Sequence, residues 1–228
     1  AIYSDLDRTA GLVEIDSIDK KITKVLSIGN ISGRAATSGN LIVWSEKVPS
    51  IRWEQESYSD LFVYDVNSKK KLRITFKERL FNPIFGNSTN QIFAIRYLPV
   101  GKSQICRIDL NSKQISSVDF IANGQIKELA YLDNELYATV VEEKGLALYK
   151  YSLTTGIKSK IFSNINSSIN RIVVAKNELL FESDMNGTCN IYALKLEDYS
   201  IKRLTNSRFG AFEPYYYKGF VYYSDFSS

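Results

Sequence analysis

Two sequence patterns recur along this 228-residue chain at one spacing, and that shared period restricts the fold more than any other feature. The segments "VEIDSIDKKI", "FVYDVNSKKKL", "ICRIDLNSKQI", "LYKYSLTTGI" and "YALKLEDYSI" align on Ile15, Tyr64, Ile108, Tyr151 and Leu194, at intervals of 49, 44, 43 and 43 residues. A second series, "GNLIVWS", "TNQIFAI", "DNELYAT", "KNELLFES" and "KGFVYYSD", aligns on Asn40, Asn90, Asn134, Asn177 and Gly219, each just ahead of a β-rich run. Asn and Gly tolerate the positive φ of a tight hairpin, so every unit carries a turn where two strands must meet.

Within a unit the pattern predicts four strands, A to D. Strand A precedes the Asn or Gly turn, as in "EPYYYK", and strand B follows it, as in "FVYYSD". Strand C ends near the common position, and strand D is the short run after "NSKK", such as "KLRIT" or "SIKRLT". Alternating apolar positions, Phe62 with Tyr64 and Ile191 with Ala193, have strand spacing, and no window shows helical periodicity. A tandem four-stranded unit of this length predicts an all-β fold: a β-propeller of four-stranded antiparallel blades, in about five repeats of 43–49 residues. A β-sandwich would not demand equal spacing. The repeats are expected at 11–59, 60–103, 104–145, 146–187 and 188–228, with 1–10 belonging to a preceding blade and the whole forming one propeller domain or fragment. "IYSD" at 2–5 matches "YYSD" at 222–225, so the chain is expected to start and stop in strand B. A segment of a larger propeller explains this, and a closed five-bladed ring is the alternative. Opening on "AIYSD" rather than on a signal peptide fits a residue 1 that lies inside a longer protein.

Composition then narrows function. With 44% apolar and 13% aromatic residues the chain can bury a sizeable core, and it has no run of 18 apolar residues to span a membrane as a helix. Its 29 basic and 25 acidic residues are interspersed, which argues against a nucleic-acid footprint. Histidine is absent from the sequence, so a Ser-His-Asp triad, a Cys-His pair and a His-ligated metal are excluded within these residues. Cys106 and Cys189 lie far apart in strand-like contexts without CxxC spacing and read as small packing residues. Asp5, Asp184 and Asp225 recur after strand B, where turn capping explains them better than calcium binding. A glycosidase needs two carboxylates a set distance apart, for which the inner strands offer Glu128 and Glu213, with nothing around them marking catalysis. The segment itself is read as non-enzymatic, and no cofactor or metal is called for.

The units "FEPYYYKGFVYYSDF", "NIYALKLEDYSIKRLT" and "LFVYDVNSKKKLRIT" resemble the WD-like propeller repeats of the TolB type. In that pattern a Pro-x-aromatic-Ser-Pro-Asp-Gly-Lys turn leads to a strand, then Ile-Tyr-x-x-Asp, then a strand ending Leu-Thr. The turn is degraded here to "GNSTN", "LDN" and "AKN". "SIRWEQESYSDLFVYD" and "NIYALKLEDYSIKRLTNSRFGAF" are similar to propeller segments of large cell-envelope proteins of Bacteroidetes-type bacteria. That resemblance implies an extracytoplasmic location, in the periplasm or at the cell surface, and other domains in the same polypeptide, including a peptidase-like region.

Strand parity places the B-to-C and D-to-A connections at one end of each blade and the A-to-B and C-to-D turns at the other. The long first interval puts extra residues in the B-to-C connection after Trp44, which itself falls inside the strand pattern and reads as core. Trp53 then sits in an enlarged loop with Arg52 and Tyr58, at the same end as the D-to-A segments "TFKERLFNP" (75–83) and "TNSRFGAFEP" (205–214). Arg52, Trp53, Tyr58, Arg79, Phe81, Arg208 and Phe209 are the candidate ligand-binding residues, a basic aromatic set suited to protein hot spots or to stacking on sugar rings. The competing reading has Phe81 and Phe212 filling gaps between blades while the arginines pair with nearby carboxylates. The expected role is recognition of a protein or polymeric ligand, with two alternatives: a substrate-gating accessory of a peptidase or other hydrolase, or a glycan-binding or glycan-hydrolysing five-bladed propeller.

Overall fold

The computed structural model describes residues 2–5, 8–16, 18–19, 21–52, 56–122, 124–164 and 166–226. The fold is a β-propeller of four-stranded antiparallel blades, as the repeat requires. Its chain divides into two compact units, Ala1–Leu98 with Cys106–Ser117, and Pro99–Ile105 with Val118–Ser228.

The first unit begins with a three-stranded sheet, β1 (Ile2–Asp5), β2 (Arg8–Ile15) and β3 (Ile22–Ser27), in the order B, C, D. A complete sheet follows from β4 (Ala36–Ser38), β5 (Leu41–Pro49), β6 (Ser57–Asp65) and β7 (Lys70–Arg73). Strands β8 (Leu80–Phe85), β9 (Gln91–Tyr97), β10 (Ser103–Asp109) and β11 (Ile115–Ser117) make the next. In the second unit, β12 (Gln125–Leu132), β13 (Glu135–Glu142), β14 (Gly145–Ser152) and β15 (Lys158–Asn164) form one four-stranded sheet. Another is β16 (Asn170–Ala175), β17 (Glu178–Ser183), β18 (Asn190–Lys195) and β19 (Ile201–Arg203), followed by the hairpin β20 (Ala211–Tyr217) and β21 (Phe220–Asp225).

Each central strand is buried on both faces, because period-2 alternation sends successive side chains to opposite neighbours. In β5 and β6, Trp44 and Tyr64 join Leu12 and Ile28 in one core. Val43, Leu61 and Val63 join Leu80, Ile92 and Cys106 in another. The second unit repeats the scheme: Leu179 and Phe181 pack with Tyr137 and Leu148, while the intervening Leu180 packs with Ala211. Cys106 is buried and Cys189 half-buried, both as free thiols.

One backbone hydrogen bond recurs between the two sequence registers. The carbonyls of Asn40, Asn90, Asn134 and Asn177 accept from the N–H groups of Val66, Leu110, Leu153 and Leu196, each at 2.9 Å, two residues past the common position. Positive φ, expected at every turn asparagine, falls on Asn134 (62°) and Gly219 (89°). In two other turns it falls one residue earlier, on Gly39 (57°) and Lys176 (54°). Asn40 and Asn90 serve instead as clamps: their Nδ2 groups donate to Asp65 Oδ1 at 2.5 Å and Asp109 Oδ2 at 2.9 Å. Those bonds draw the Asp65 carboxyl below its ordinary range, and at Asp109 the Ser112 N–H and hydroxyl do the same.

Candidate binding loops

The D-to-A loop 74–80 is fixed by a carboxylate buried at the start of strand C. Asp60, fully buried in β6, accepts from Arg73 Nη2 at 2.6 Å, Thr75 Oγ1 at 3.1 Å, Lys77 N at 3.1 Å and Glu78 N at 3.0 Å. Thr75 Oγ1 in turn accepts from Leu61 N at 2.8 Å, replacing the ladder bond that strand D can no longer give. Ser59 adds two stitches, its N–H to Glu78 O and its Oγ to Leu80 O, both at 2.8 Å.

The same construction recurs 130 residues later. Asn190 Oδ1 accepts from Thr205 Oγ1 at 2.9 Å and from Ser207 N at 2.8 Å, and Thr205 Oγ1 accepts from Ile191 N at 2.9 Å. The Leu-Thr ending of the repeat is therefore a structural cap, in which threonine bridges strand C to a buried polar anchor. Asp184 and Asp225 also serve these loops rather than their own hairpins: Asp184 Oδ1 accepts from Ser168 N at 2.7 Å and Ser168 Oγ at 2.9 Å, and Asp225 Oδ1 accepts from Ser207 Oγ at 2.5 Å.

With the backbone anchored from inside, the side chains on top face water. In the first unit, Phe76 is 63% exposed, with the Arg73 guanidinium 4.9 Å from its ring centre, and Arg79 is exposed three residues further along the loop. In the second unit Phe209 is 55% exposed, with the Arg208 guanidinium 5.1 Å from its ring centre. Phe76 was missed by the sequence reading, although it directly follows the Thr75 cap, the position that makes it project.

The remaining candidates sit as follows. Arg52 is exposed in the B-to-C connection, and Trp53 lies outside the described residues. Tyr58 is half-buried in β6 opposite Val48. Desolvation raises its hydroxyl pKa, with a hydrogen bond to Glu56 adding to the shift. A parallel bridge between Ser59 and Arg79 brings the backbones beside Tyr58 and Arg79 together. Phe81 lies in β8, half-buried against Tyr97 with ring centres 4.8 Å apart. Arg208 and Phe209 belong to the second unit and form their own cluster. The extra residues of the first interval do not all enter a loop: Glu46–Pro49 and Ser57–Asp60 extend the β5–β6 ladder, leaving 50–56 as the connection.

The acidic pair Glu128 and Glu213 is engaged in holding sheets together. Glu128, buried, accepts from Ile172 N at 3.2 Å, and Glu213 pairs with Arg171 at 2.7 Å. A third carboxylate, Glu182, accepts from Glu213 N at 2.6 Å. Desolvation pushes its pKa up, against the lowering effect of that hydrogen bond. The donors Ile172 and Glu213 lie within strand-A bulges, whose register shifts fall between Asn170 and Val173 and between Phe212 and Tyr215. Bulge residues Arg171 (φ 52°) and Glu213 (φ 55°) are left-handed, which frees an N–H from the ladder for the neighbouring sheet's glutamate.

Among solved structures, the chain is similar to TolB from Acinetobacter baumannii, with a TM-score of 0.62 and 15% identity over 82% of this chain and 50% of that one. A protein assigned as TolB from Agrobacterium tumefaciens gives 0.67 at 11% identity, over 85% of this chain and 69% of that one. A puromycin-hydrolyzing peptidase from Mycobacterium tuberculosis gives 0.60 at 13% identity, over 86% and 33%. At such identities the likeness shows the fold alone, and the chain spans half of the Acinetobacter protein and a third of the peptidase. No protein-family model and no curated protein sequence matches the chain. The class defined by fold and neighbours is thus a β-propeller with TolB-like structural relatives.

Proposed function

We propose that the chain is a non-enzymatic binding or scaffold propeller of a larger extracytoplasmic cell-envelope protein, which recognises a protein or polymeric partner through the loop end of its blades. One observation carries this reading: two D-to-A loops, held by equivalent buried anchors at Asp60 and Asn190, each expose a phenylalanine beside an arginine. Apolar rings kept in water on a rigid support gain burial when a partner covers them, and little conformational entropy is lost because folding has already ordered the loops. Arginine and aromatic residues are also the side chains enriched at binding hot spots. Arg52, Tyr58 and Arg79 extend the surface of the first unit, with Trp53 beside them in sequence.

The test is retention of partners from a cell-envelope extract by the immobilised full-length protein and by its Phe76→Ala/Phe209→Ala variant. Retention by the variant should fall about tenfold or more, the equivalent of roughly 1.4 kcal/mol, while the melting temperature holds. Equal retention contradicts the site. The likeness to a peptidase supports a second reading, an accessory domain that limits access to catalytic residues elsewhere in the polypeptide. A zinc-binding HExxH helix or a Ser-His-Asp set elsewhere in that polypeptide would favour it.

A further inference from the structure

Two complete four-stranded sheets, β12–β15 and β16–β19, meet in an apolar seam built from Tyr137, Leu148, Ile169, Leu179 and Phe181. The Tyr192 ring joins it, stacked on Phe181 with ring centres 5.7 Å apart. Toward the loop end the seam turns polar. Thr139 lies two residues past Tyr137, and Ser183 two past Phe181, so strand alternation sends both side chains into it, and each residue is 0% exposed. Glu128, opposite Thr139 in the β12–β13 register, crosses the seam to accept from Ile172 N at 3.2 Å. Ser168 bonds Asp184 at 2.7 Å and 2.9 Å, which sets Ser167 beside the end of β17.

Among the described residues, five buried side-chain polar atoms have no hydrogen-bond partner in the protein, and four belong to this seam and its loop: Thr139 Oγ1, Ser167 Oγ, Ser183 Oγ and Tyr192 OH. The same places in the repeat find protein partners in other sheets. Five residues past the turn asparagine, where Thr139 stands, Ser45 Oγ donates to Ser32 O and Glu182 accepts from Glu213 N. Two residues before the common position, where Tyr192 stands, the Tyr149 hydroxyl donates to Glu142. A hydroxyl taken out of bulk water into an apolar seam costs free energy that packing does not return unless it is bonded.

We propose that the loop-end half of the seam between these two sheets is an internal hydration site, in which buried water bonds the hydroxyls of Thr139, Ser167, Ser183 and Tyr192. Each hydroxyl has one donor and two acceptor lone pairs, so its partner must both donate and accept. Water does both, and it is small enough to sit between packed aliphatic and aromatic side chains where several polar groups converge. The site lies inside the blades and is independent of the loop-end binding role.

A high-resolution crystal structure of the full-length protein tests this directly. Ordered water is expected within about 3.2 Å of Thr139 Oγ1, Ser183 Oγ and Tyr192 OH. Hydroxyls that bond protein groups instead, or that have no ordered partner, would overturn the proposal. Urea denaturation gives an independent reading with Thr139→Val/Tyr192→Phe, which removes two hydroxyls and keeps the carbon frame. Loss of the water bonds should lower the folded-to-unfolded ratio about fivefold or more. An unchanged or higher ratio means that the hydroxyls gain nothing in the folded protein, and also overturns it.

Discussion

Asp60 and Asn190 hold equivalent loops with different charge. Asp60 carries its charge into a fully buried position and has Arg73 at 2.6 Å to balance it, whereas Asn190 does the same with a neutral amide. Asp60→Ala should therefore destabilise the protein by roughly 3–5 kcal/mol, because it strands two loop N–H groups and a partly buried cation. Asp60→Asn should cost clearly less, since an amide oxygen serves at the equivalent place. Urea denaturation of both variants checks the order, and equal losses would refute the anchoring role. The Asn40 clamp makes a second residue-level prediction. A depressed carboxyl such as Asp65 adds stability above its unfolded pKa and loses it as pH falls through the folded value. Asn40→Ala should raise the Asp65 pKa toward the ordinary range, reduce that acid sensitivity and leave Asp109 unmoved, as followed by NMR titration.

Among the elements, the strands of the blade were legible, strand A included, and the bulges inside strand A were not. The backbone carbonyls at positions 40, 90, 134 and 177 bond strand C at a constant offset, so both registers share one period, and at Asn40 and Asn90 the amide side chain also holds a strand-C aspartate. The bulges at Arg171 and Glu213 left no such trace: their freed N–H groups are satisfied by glutamates of a neighbouring sheet, a partner that strand alternation cannot reveal. The available signal was a glutamate inside an apolar strand, Glu128 in "KEL" and Glu182 in "FES". Phe76 escaped for a related reason, since only the Thr75–Asp60 cap shows why the next side chain must point outward. Glu182 also sets a pH test. Its pKa is raised by desolvation, so its contribution is complete below the unfolded value of about 4.3 and is lost as pH rises through the folded value. Glu182→Gln keeps an acceptor for the Glu213 N–H and removes the titration. Its stability relative to wild type should increase from pH 4 to pH 7; a difference independent of pH would show that the carboxyl is not perturbed.

At the scale of the whole molecule, neighbouring blades within each unit share apolar faces, so a core substitution there acts on two sheets. Trp44, fully buried with its Nε1–H on Glu46 at 2.8 Å, lies against Phe62 in β6 and Leu12 of the preceding sheet. Trp44→Ala should cost about 3–5 kcal/mol, read as a drop in the urea midpoint. The central claim is that rigid blades present the loop end for recognition. The most direct measurement places a photo-crosslinking residue at loop-end positions 52, 79 and 209, and at turn-end positions 69, 113 and 199, in the full-length protein within its own cells. Crosslinks to a partner are expected from the loop-end positions of each unit and not from the turns. Crosslinking from the turn end alone, or equally from both, would contradict that claim.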